Sequence, residues 1–267
     1  MLRFFLLSVL VSASILDAQT TDMRPGVSFV TTLNGAVDVT DKNDKQIPLK
    51  LHSTLLLDAF KIKTGSRGSV FFSLSNNIAF AVTEDSELEI LEFKQVPFDS
   101  SKEGNDFEPS ISKLKIKLKR GSLALSCDHL SPLSVIEVIS NSGLLRIHST
   151  TSIIEADERS ITISAFEGTC TYYFEENNER QFIAQPQSVK ITTQSAKRNI
   201  LASNDTIYLL DSTAGELAEA VKAARQRVLF KAVPLSEDPK PILLVKQDYY
   251  ELDSARPYIF KDRYNNE

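Results

Sequence analysis

Between Phe29 and Thr193 apolar and polar residues alternate. That is the period of a strand with one face toward a core and the other toward water. Lys113-Leu114-Lys115-Ile116-Lys117-Leu118-Lys119 is the strictest case, with aliphatic side chains on one face and lysines on the other. Ser69–Ser75, Ile78–Val82, Leu88–Phe93, Leu123–Ser126, Val135–Ile139, Leu144–Ile147, Ile161–Phe166 and Thr169–Phe174 are short and rich in β-branched or aromatic residues. Thr64-Gly65-Ser66, Ser75-Asn76-Asn77, Arg120-Gly121-Ser122, Asn141-Ser142-Gly143 and Glu167-Gly168-Thr169 read as the turns between them. Many short strands at close spacing predict an all-β domain over residues 29–195, a roll or sandwich. The acidic segment Asp99–Pro109 reads as an excursion loop.

A faint internal likeness fits a layered arrangement. Ser75-Asn76, Phe80-Ala81-Val82 and Ser86-Glu87-Leu88-Glu89 align with Ser140-Asn141, Leu145-Arg146-Ile147 and Ser152-Ile153-Ile154-Glu155. Stacked β-coils, each burying a neighbour's apolar face, produce such self-similarity, and so does coincidence between two copies. After Asp211 the period changes. Thr213-Ala214-Gly215-Glu216 fits a capping box, and Leu217, Ala220, Val221, Ala224 and Val228 follow at helical spacing. One helix is therefore expected within residues 212–232, its apolar stripe packed on the β-domain. Pro234, Pro239, Pro241 and Pro257 interrupt residues 233–267, which read as an extended arm.

The first 18 residues have the order of a secretory leader: Arg3, an apolar run from Phe4 to Val11, and a small residue at Ala18. Cleavage is expected between Ala18 and Gln19, which places the mature chain in the periplasm or outside the cell. The apolar run is far shorter than the roughly 20 residues of a membrane span, and no later stretch suggests one. In an oxidising compartment Cys127 and Cys170 either bridge or stay as two separately buried thiols; spacing does not decide between them.

The 267 residues carry 30 Lys+Arg against 35 Asp+Glu, a net charge of -5 without the basic footprint of a nucleic-acid binder. The lysine row at 113–119 reads as an anionic docking strip or as a solvated outer face. The second reading is favoured, with Asp99, Glu103, Asp106 and Glu108 available to offset the charge. His52, His129 and His148 lie far apart, so no metal site is expected, and no phosphate-binding glycine loop implies a cofactor. Cys127-Asp128-His129 and the carboxylate pairs Glu84-Asp85, Asp157-Glu158 and Glu175-Glu176 read as ordinary strand ends and solvated turns. Enzymatic activity is not expected. A contact surface is the better candidate: Tyr173 faces opposite to Tyr172 and Phe174 on one strand, near Arg180, and could stack on a sugar or pack on a protein. Arg67, between Gly65 and Gly68, is a second candidate contact.

Phe60-Lys61-Ile62-Lys63-Thr64-Gly65-Ser66-Arg67-Gly68-Ser69-Val70-Phe71-Phe72, followed by Ile78–Val82 and Ser86-Glu87-Leu88-Glu89-Ile90, resembles the start of a FecR-like domain. Lys119-Arg120-Gly121-Ser122-Leu123, Val135–Ile147 and Glu167-Gly168-Thr169 are similar to its later strands. The turn usually made by Asp-Gly is Asn76-Asn77 here. The resemblance implies an exported, non-catalytic β-helix-like roll that binds or scaffolds in the cell envelope, with an envelope protein or polysaccharide as partner. Some members of the family relay envelope signals to a sigma factor. That role would require the leader to remain as a membrane anchor.

Overall fold

The computed structural model describes residues 23–57, 59–98, 107–175, 179–192 and 212–232, together with three short strands in the tail. The leader and its cleavage point, and Asp99, Glu103 and Asp106, lie outside the described residues. Fourteen strands form one hydrogen-bonded sheet: β1 (Arg24–Pro25), β2 (Val27–Asn34), β3 (Val37–Thr40), β4 (Thr54–Leu56), β5 (Phe60–Thr64), β6 (Ser69–Leu74), β7 (Ile78–Val82), β8 (Glu87–Gln95), β9 (Ser112–Cys127), β10 (Val135–Ser140), β11 (Gly143–Ala156), β12 (Ser160–Phe174), β13 (Arg180–Ala184) and β14 (Ser188–Thr192). Among the described residues the fold is all-β with a single helix, α1 (Ser212–Gln226).

The pairings resolve this sheet into two layers. One runs β4–β2–β6–β7–β9–β11–β12–β14 and uses the C-terminal halves of β9 and β11 and the N-terminal half of β12. The other runs β3–β5–β8–β9–β10–β11–β12–β13 and uses the opposite halves of the same three strands. Residues of both layers share one apolar core, including Phe72, Phe80 and Leu125 from the first and Ile90, Ile116 and Tyr172 from the second. The fold is thus a sandwich whose halves are joined by bent strands.

Those bends correct the expectation of short strands. Arg120-Gly121-Ser122 and Glu167-Gly168-Thr169 are not turns but corners inside strands of 16 and 15 residues. Gly121 has φ +89° and Gly168 φ +65°, and a Cβ would collide with the Ser86 side chain at the first and the Ser149 carbonyl at the second. Glycine is what lets the strand change layer there, with register shifts in the adjoining pairings.

Helix α1 packs on the outer face of the first layer. Ala218, Val221 and Ala224 meet Ala79, Ala81, Ala124 and Ile153, with Phe71, Phe166, Ala214 and Leu217 at the margin. Ala218 takes the place in the stripe that the sequence pattern assigned to Ala220, which is exposed. The Ser73 hydroxyl donates to the Ala224 carbonyl at 2.7 Å, satisfying one of the orphan acceptors of the helix end. The helix is also shorter than the 212–232 expected. It stops at Gln226, and the β-prone run Leu229–Ala232 forms strand β15 against β16 (Leu243–Lys246). Val228 and Phe230 bury against Val27 and Phe29. Farther along the tail β17 (Asp248–Tyr249) pairs with β18 (Tyr258–Ile259); the other residues of the expected arm over 233–267 lie outside those described.

Candidate contact surface

The second layer turns its outer face to solvent, and register aligns that face into rows. Lys117, Ile139, Leu144, Tyr173 and Arg180 lie side by side across β9, β10, β11, β12 and β13. The next row carries Lys115, Glu137, Arg146, Thr171 and Phe182. Tyr172 and Phe174 point inward and stack edge-on at 5.2 Å, which leaves Tyr173, on the opposite face, pointing outward. Tyr173 is half-buried and sits opposite the exposed Arg180, so two of the three predicted contact residues meet.

Phe182 was missed by sequence reasoning. It is 57% exposed, on the strand that ends this layer. Its signal was the alternation Arg180-Gln181-Phe182-Ile183, in which Ile183 is the core residue and Phe182 must therefore face out. Ile139 and Leu144, half-buried, extend the apolar part of the patch. His148 Nε2 lies 2.8 Å from Thr171 Oγ1 at its border, and burial, with Arg146 nearby, lowers the imidazole pKa.

Three of the four lysines in the row are ion-paired. Lys113 pairs with Glu92 at 2.9 Å, Lys115 with Glu137 at 3.2 Å and Lys119 with Glu87 at 3.1 Å. The counter-charges come from the neighbouring strands β8 and β10, not from the acidic loop. Burial pushes the Glu87 and Glu92 carboxyls upward, but the paired ammonium groups outweigh it and hold both below their usual range. Glu108, one of the acids assigned to the lysines, is instead half-buried and enclosed by hydrogen-bond donors of the fold. It accepts from Ser112 Oγ at 2.5 Å, Ser134 Oγ at 2.7 Å and the Ser131 amide at 2.7 Å, and burial raises its pKa despite those donors.

Arg67 belongs to a different place. It sits at the β5–β6 turn with φ 61°, beside a groove of about 480 Å³ bounded by Glu84, Ser122, Glu155 and the first turn of α1. It is several strands away from Tyr173 and Arg180 in the sheet order, so the three residues do not form one site. The neighbouring Thr64 and Ser86, central to the FecR resemblance, are architectural. The Ser86 amide donates to Thr64 Oγ1 at 2.9 Å, and Ser86 Oγ accepts from the Ser122 amide at 2.9 Å beside the Gly121 corner.

Cys127 and Cys170 are free and buried. They lie on strands that flank β11 from opposite sides, opposite Thr150 and Ile147. Two strand spacings amount to roughly 9.5 Å, beyond the ~7 Å that a disulfide spans between Cα atoms. Burial pushes both thiols up to about 12, so neither is a nucleophile at neutral pH. His129 is displaced from Cys127 chemistry, tilted against Phe107 at 5.0 Å. Among the described residues no cluster of His, Cys, Asp and Glu is arranged to hold a metal, and no helix is long and apolar enough to cross a membrane.

No family model and no curated protein matches the chain. Among solved structures, two crystal structures of a "putative anti-sigma factor" from Parabacteroides distasonis ATCC 8503 are similar to it, both with 10% identity and a TM-score of 0.38. Each similarity covers 64% of this chain and 66% of that one, just under two thirds of the neighbour's length.

Proposed function

We propose that this chain is an exported FecR-like domain that acts without catalysis, as a binding or scaffold module of the cell envelope. The observation that carries this reading is the row in which Tyr173 lies between Leu144 and Arg180, with the exposed Phe182 beside it. An aromatic ring, a guanidinium and an apolar side chain on a rigid sheet suit contact with a protein or a sugar ring. The Thr64–Ser86 clasp supports the family reading in a limited sense, because it gives the resembling residues a shared structural task.

The test is crosslinking in native cell envelope, using the full chain expressed with its own leader and analysing captured proteins and glycans separately. Saturable capture that Tyr173→Ala and Arg180→Glu both reduce at least tenfold is expected, with the captured chain starting at Gln19. Capture that is unchanged by both substitutions would overturn the assignment of this face. Retention of residues 1–18 would instead favour a membrane-anchored regulator.

A further inference from the structure

Strand β13 ends the second layer, and its hydrogen-bonding pattern shows which main-chain groups are unmatched. The Phe174 amide donates to the Glu179 carbonyl and the Gln185 amide to the Gly168 carbonyl. In an antiparallel ladder bonded pairs recur every second residue. Gln181 and Ile183 therefore direct their main-chain groups toward β12, while Arg180, Phe182 and Ala184 direct theirs to the free edge. Ala184 is already capped: Gln187 Oε1 accepts from its amide at 3.1 Å, and the Gln187 amide donates to its carbonyl. The Phe182 carbonyl is held by its neighbour's side chain, Gln181 Nε2 at 3.1 Å. Among the described residues no strand pairs with this edge.

We infer that β13 is a docking edge for an extended polypeptide, added antiparallel and bonded to the main chain of Arg180 and Phe182. This rests on the reading of the Tyr173 face as a binding surface and names its partner class. The two edge residues whose main chains face outward are also the two whose side chains lie on the patch. An added strand places one side chain beside Phe182 and, two residues later, another beside Arg180. Charge complementarity makes the second one acidic, so the recognised pattern is apolar-x-acidic. Gln181 acts as a placeholder, and its amide must swing away for the partner's amide to reach the Phe182 carbonyl.

The probe is the fluorescent peptide Thr-Val-Thr-Glu-Thr, titrated against the full chain, with a second peptide N-methylated at Val and Glu. N-methylation keeps every side chain but removes the two donors that face β13. Saturable binding is expected, weakened at least tenfold by N-methylation and at least tenfold by Arg180→Glu in a protein of unchanged circular dichroism. Equal binding of the two peptides, or no saturation by the unmodified one, overturns strand addition. If envelope capture still depends on Tyr173 in that case, the contact face stands and the partner is not an added strand. Recovery of polysaccharide alone would have the same meaning.

Discussion

Strand β9 passes through both layers, and its outward residues change as it does. Before the Gly121 corner they are Lys113, Lys115, Lys117 and Lys119; after it they include Ala124 and Ser126. The lysine half faces solvent among glutamates, and the small half lies under α1. Inward residues hardly differ, being Leu, Ile, Leu in the first half and Leu, Leu, Cys in the second. The two faces of this molecule are therefore distinguished by the size of outward side chains. Alanine and serine let a helix approach and leave little to solvate, whereas long charged side chains keep the surface wet and leave the β13 edge reachable.

Placing the same charge on both halves is the harshest test of that contrast. Ala124→Asp would put a carboxylate too short to reach water into a fully buried seam against Val221 and Ala218. An uncompensated buried charge costs about 3–5 kcal/mol. Lys117→Asp, on the same strand, should change stability by roughly 0.5 kcal/mol or less. Urea midpoints of the two variants at pH 7 measure the difference. Similar losses would mean that the helix does not seal the alanine face.

Part of this architecture is legible in the sequence. The strand alternation put Tyr173 on the face opposite to Tyr172 and Phe174, because side-chain direction in a strand is fixed by parity, but parity alone does not say which face is inward. The corners at Gly121 and Gly168 were not legible as such, since a glycine between strand-like runs marks a turn and a bend with the same local signal. The alanines at 79, 81 and 124 did carry the helix's docking site, but only in combination with α1, far away in sequence. The fate of Cys127 and Cys170 depended on which strands flank β11, and no local pattern contains that. Phe182 followed from parity alone once Ile183 was known to be inside.

Acid titration sharpens the contrast between surface carboxylates and the one enclosed at the end of the sandwich. Under the helix, Glu167 accepts from Lys222 and from Thr151 Oγ1 at 3.0 Å, and the Lys222 contact, despite some burial, holds its pKa low. Glu167, Glu87 and Glu92 therefore add stability above their unfolded pKa of 4.5 that is lost as pH falls through the lowered folded values. Glu108 has the opposite sign. Its folded pKa is raised, so its contribution is complete below 4.5 and is lost as pH rises through the folded value. Stability of Glu108→Gln measured against pH should thus lie furthest below the parent in acid and close part of that gap toward neutrality. Glu167→Gln should cost about 1 kcal/mol or less at pH 7, because solvent screens the exposed pair, and its deficit should shrink in acid. Two variants with pH trends of the same sign would contradict the assignment of the enclosed carboxyl.

The smallest effect belongs to the lysine row itself. Lys115 lies 3.2 Å from Glu137, but Arg146 stands 3.7 Å from the same carboxylate and remains after Lys115 is removed. Exposed pairs contribute about 0–1 kcal/mol, and here a second cation limits the loss further. Lys115→Ala should change the unfolding free energy by roughly 0.5 kcal/mol or less, with little added sensitivity to salt, while leaving peptide binding at β13 intact. A loss well above that range would show that the row is a structural network on which the open face depends. Unchanged stability with weakened peptide binding would extend the contact surface from β13 across three strands to β9, because Lys115 shares a row with Phe182.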